Sequence, residues 1–130
     1  QGVDMILAVL PANEREASRR DPDEITPAKL NAWAVRIRAA ALHESSWIWP
    51  MGTDEDAIYE VLRELPSVGA ACQLDQIYQQ LHGKRLFQEL KDELDDLELM
   101  DAYAILQQKP DGRGKSILQI ISTCTQQRQL

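Results

Sequence analysis

Basic residues, phenylalanine and cysteine are scarce in this chain, and each shortage narrows what it can be. Fourteen Lys plus Arg face twenty-one Asp plus Glu, a net charge of -7. Such a field repels a nucleic-acid polyanion, so no nucleic-acid partner is expected. It also opposes bare acidic lipid unless a cation bridges the two or a local basic patch overrides the mean. One Phe and few β-branched alternations argue against sheet. Cys72 and Cys124 are the only cysteines. Two do not make a disulfide framework, and each sits among apolar residues, so both read as buried free thiols. No apolar run approaches the roughly 20 residues that span a bilayer, and the N-terminus lacks the basic, apolar and small-residue succession of a signal peptide. The chain starts at Gln1 rather than Met and is expected to be a piece of a longer protein, of unknown compartment.

At 130 residues and 44 % hydrophobic, the chain suits one globular domain with its own core. Leu, Ala, Glu and Gln dominate, and the apolar spacing is helical segment by segment. The expected fold is all-α, a compact bundle of short helices. Residues 1–26 read as a short helix carrying Val3, Ile6, Leu7 and Leu10 on one face, then a polar linker. Thr26-Pro27 starts a helix to about Glu44, with Leu30, Trp33, Ala34, Ile37 and Ala41 as its stripe. Residues 47–52 break the pattern and read as a loop. Thr53, with Asp56 three residues on, is the expected cap of a helix burying Ile58, Val61, Leu62 and Leu65.

Pro66-Ser67 restarts the chain, and Leu74, Ile77, Tyr78 and Leu81 form a stripe that stops at Gly83. Leu86, Phe87, Leu90 and Leu94 mark a shorter helix. Asp95-Asp96 can cap one that buries Leu99, Met100, Tyr103 and Leu106. After a turn-rich break at 109–114, Ile117, Leu118, Ile120, Ile121 and Cys124 define a last amphipathic helix. It needs a surface to cover, either the unit before it or a neighbouring repeat.

Four patches share one register: Gly52-Thr53-Asp54-Glu55-Asp56-Ala57-Ile58, Ile77-Tyr78, Leu81-His82-Gly83-Lys84, and Leu86 with Leu90-Lys91-Asp92-Glu93-Leu94. Together they resemble an annexin repeat over residues 27–107. The resemblance implies a five-helix unit; N- and C-terminal helices flank it, and 108–130, a turn and the last helix, are expected to pack on the same domain. It also implies a calcium ion held by the carbonyls of Ile48, Pro50 and Gly52 and the carboxylate of Glu93, with water or phosphate completing the shell. The family's loop reads Gly-X-Gly-Thr, and Pro50 stands at its first glycine. Proline still offers a carbonyl but fixes φ near -65°, which restrains the curl of the loop. The plainer reading is that Glu93 belongs to a solvated acidic run, 89–98.

Trp47 and Trp49 flank that loop, where indole rings suit a lipid interface, a sugar ring or a helix junction. His43-Glu44 lacks the second histidine of a zinc protease, and His43, His82, Cys72 and Cys124 have no metal-site spacing. Gly112-Arg113-Gly114-Lys115-Ser116 lacks the first glycine and the preceding strand of a phosphate loop, so it reads as a flexible turn before a helix. Asp92, Glu93, Asp95 and Asp96 crowd one helix end and cannot flank a sugar as a catalytic pair must. No nucleophile with a base is seen, and the expectation is a non-enzyme. Its partner is an anionic phospholipid surface met through calcium. The alternative is a calcium-independent scaffolding or targeting module for a protein or a cell-wall polymer.

Overall fold

The computed structural model describes residues 24–42 and 54–129, and these fold as helices joined by short turns, with no strand among them. The first, α1 (Pro27–Ala41), starts where the sequence placed it. Thr26 accepts from the Lys29 amide at 3.2 Å, and Pro27 occupies the first turn. Its buried face is Leu30, Trp33, Ala34, Ile37, Ala40 and Ala41, and it ends at Ala41, short of the expected Glu44. The cap of α2 (Glu55–Glu64) is Asp54, one residue beyond the expected Thr53, and it accepts from the Ala57 amide.

Ser67 caps α3 (Val68–His82), and Gly83 closes it in the left-handed conformation at φ 78°, which glycine adopts without strain. Next come α4 (Leu86–Glu93) and α5 (Asp96–Gln107), the latter opened by a reciprocal capping box between Asp95 and Glu98. Before α6 (Ile117–Gln129), Ser116 and Gln119 exchange the same pair of bonds. The N-terminal helix expected at Val3 to Leu10 lies outside the described residues.

Helix α3 is central. It packs against α1 on one side and α6 on another, touching α4 and α5, while α2 joins α1 to α5. The core runs through Ile37, Ile58, Leu62, Leu74, Tyr78, Leu86, Leu90 and Leu106. The last helix covers α3 of its own chain, through Ile120 and Cys124.

Three expectations fail here. Cys72 and Cys124 are joined as a cystine, not free thiols, because α3 and α6 approach closely enough to set their Cα atoms 4.7 Å apart. The 109–116 turn is a bracket rather than a flexible link. Asp111 accepts from the Val68 and Gly69 amides at 2.7 and 3.0 Å, and Lys109 donates to the Arg63 carbonyl at 3.0 Å. Gly112 lies so close to α5 that a Cβ there would meet the Leu106 oxygen at 2.4 Å. Leu81, Met100 and Leu118, read as core, are 49 %, 65 % and 76 % exposed. In α5 the buried stripe is Ala102 and Leu106, which turns Met100 outward.

The cystine closes a sequence separation of 52 residues, for which loss of unfolded-chain entropy gives about 4 kcal/mol of stabilisation at most. Urea unfolding of the native protein and of Cys72→Ala/Cys124→Ala should differ by up to that amount. Equal midpoints, or two titratable thiols in the untreated protein, would contradict the assignment.

Candidate functional site

The 43–53 segment leaves α1 at Leu42 and returns at Asp54, whose amide donates to the Ala40 carbonyl at 2.9 Å. Its two roots are therefore tied within one helical turn of each other. Trp47, Ile48, Trp49, Pro50 and Gly52 themselves lie outside the described residues, as does His43. Glu93 is described: it is the last residue of α4 and half-buried.

What holds α4 in place is Glu89, one turn earlier. Its carboxylate is fully buried among groups from three elements. Oε1 accepts from the Tyr78 hydroxyl on α3 at 2.6 Å and from the Arg38 guanidinium on α1. Oε2 lies 2.8 Å from Lys84 Nζ, an ionic contact rather than a directed hydrogen bond. Lys84 also reaches Asp92 at 2.7 Å. Burial by itself would push the Glu89 carboxyl up; Lys84, Tyr78 and Arg38 together outweigh it and hold the group below the ordinary carboxylate range. Burial and then the adjacent Glu89 push the Tyr78 phenol far up, so it serves as a donor. The Tyr78 ring meets His82 edge-on at 4.6 Å, and His82 Nε2 lies 3.3 Å from the Ala34 carbonyl, a further tie to α1.

A buried carboxylate with its oxygens engaged this way offers nothing to a substrate. Its role is positional. Arg38 stands one turn before Leu42 and Glu89 lies in the first turn of α4, so the network fastens the last turn of α1 to the first turn of α4, with Glu93 one turn further along. The sequence reading placed Glu89 in a solvated acidic run, and there the structure differs. The signal was present, since Glu89 follows Leu86 by three residues and precedes Leu90 by one, on the apolar stripe.

A second buried acid, Asp75, accepts from the Leu86 amide at 2.9 Å and so caps α4 from a distance. Arg85 neutralises it at 3.0 Å and extends to Thr125 on α6. Sequence reasoning missed this group too. Among the described residues no cluster of three or more His, Cys, Asp or Glu could hold a metal ion. Compared with models of known families, with curated proteins and with solved structures, the chain matches none.

Replacing Glu89 with Gln should destabilise the fold by roughly 2–3 kcal/mol, somewhat under the range for a wholly buried pair because Arg38 and Lys84 reach solvent. The folded carboxyl titrates below its unfolded value of about 4.3. Its contribution is thus complete above that pH and lost as pH falls through the lower folded value. Urea titrations of both proteins at neutral pH and at about pH 3 should show their difference shrinking in acid. A constant difference would rule out ionised Glu89 as the anchor.

Proposed function

We propose that this chain is a non-catalytic, annexin-like helical module that attaches to acidic phospholipid surfaces through calcium. The ion is held by the carbonyls of Ile48, Pro50 and Gly52 and by Glu93, leaving coordination positions for lipid phosphate oxygens. A bridging dication is what a chain of net charge -7 needs to approach an acidic membrane.

The observation that carries this reading is the pair of ties beneath the site. Asp54 on Ala40 gathers the roots of the 43–53 segment, and Arg38 on Glu89 ties the first turn of the helix bearing Glu93 to the last turn of α1, from which that segment leaves. Glu93 repeats the position of Glu89 one turn further along the same stripe. Further support comes from the cystine, which suits an oxidising environment, where calcium sites with affinities of about 10⁻⁴–10⁻³ M operate. Pro50 restrains the loop and suits that weak end of the scale.

Calcium at roughly ten times its Kd should stabilise the protein by ~1.4 kcal/mol, a rise in Tm of a few degrees, and Glu93→Gln should abolish the gain. Phosphatidylserine vesicles should then co-sediment the protein with calcium and release it to a chelator. Unchanged melting in both proteins, or vesicle binding that ignores the chelator, would overturn the bridge and leave the calcium-independent scaffolding module.

A further inference from the structure

The groove between α4, α5 and α6 has a volume of about 390 Å³ and is lined by Phe87, Leu99, Tyr103, Ile117, Leu118 and Ile121. Its rim carries Arg85, whose charge is taken up by Asp75, and Lys91, which adds positive charge in a chain whose net charge is -7. No carboxylate lines it. The residues from Gly112 to Leu130 contain no acid at all, and Lys115 stands exposed beside Leu118.

The outer face of α5, beside the groove wall formed by Leu99 and Tyr103, has the opposite character. Leu97 and Met100 are 74 % and 65 % exposed, one turn apart, and the exposed acids Asp96 and Asp101 flank them. Single exposed apolar residues are ordinary, but an apolar pair set beside an apolar groove is not. An apolar ridge edged with acid matches an apolar groove edged with base, and α5 contributes to both.

We propose that this face is a self-association surface, whose occupant is a second copy of this chain. Leu97 and Met100 of each copy enter the groove of the other, with Asp96 and Asp101 facing Lys91 and Lys115. Because α5 supplies both the ridge and a wall of the groove, the exchange is reciprocal and closes as a two-fold dimer. This is independent of the calcium reading, since the groove contains none of its ligands.

Sedimentation velocity of the oxidised chain, from about 1 μM to about 500 μM, should show a monomer–dimer equilibrium. Met100→Glu and Leu118→Glu should each raise the dissociation constant roughly tenfold or more, as loss of a central apolar contact does. Val35→Glu, an exposed apolar position on α1, should leave it unchanged. Far-UV circular dichroism and intact cystine establish that the variants are folded. A monomer throughout the range would overturn the proposal, as would variants that dimerise like the parent. Capture of an acidic amphipathic peptide in the groove of a chain that stays monomeric would overturn it in favour of a foreign helix.

Discussion

One buried carboxylate sets the relation of three helices. Removing Glu89 from water is expensive, and the cost is offset only where Arg38, Tyr78 and Lys84 converge on it. Those partners come from α1, from α3 and from the turn before α4. Shifting α4 by one residue would carry the carboxylate off this constellation and leave two cations and a phenol facing apolar surface. Leucine packing alone is forgiving of such slips, because Leu86 and Leu90 could exchange neighbours at modest cost. The polar cluster is not forgiving, and it fixes where the first turn of α4 stands.

The same logic governs the helix ends. Helices of eight to fifteen residues are marginal alone, and each leaves orphan amides and carbonyls at its termini. Here several of those groups are satisfied from far away in sequence. Asp75 serves the start of α4, Asp111 the start of α3, and Lys109 the end of α2. Each bond supports one element and positions another, so the short helices gain their stability together. The cystine extends this to α6, which meets the rest of the chain mainly through α3.

This division explains what could be read from the sequence. Thr26-Pro27, Ser67, Gly83 and Asp95 mark helix boundaries correctly because a cap acts over three or four residues. The distant caps left no local trace, and neither did the pairing of Cys72 with Cys124. Periodicity identifies the apolar side of a helix but not how far a neighbour covers it, hence the misreading of Leu81, Met100 and Leu118. Thr53 and Asp54 both carry capping side chains, and composition could not choose between them. Of the candidate calcium ligands, Glu93 was legible as a position, whereas the anchor beneath it required three segments to be brought together. Ile48, Pro50 and Gly52 lie outside the described residues.

Helix α4 lies between the two surfaces for which roles are proposed. With about 100° between successive residues, Glu93 falls on the stripe of Glu89 and Leu86, whereas Lys91 falls nearly opposite, on the groove side with Phe87 and Gln88. On the proposed function the Glu93 side of the helix would meet the dication, whereas Lys91 and Phe87 line the groove. Two sites on opposite sides of one helix share no partner, so substitutions at one should act independently of the other. The buried stripe between them, with Leu86, Glu89 and Leu90, is the structural layer common to both. Weakening the Glu89 anchor would loosen α4 from its first turn onward, while α5 and α6 stay held by the Asp111 bracket and the cystine.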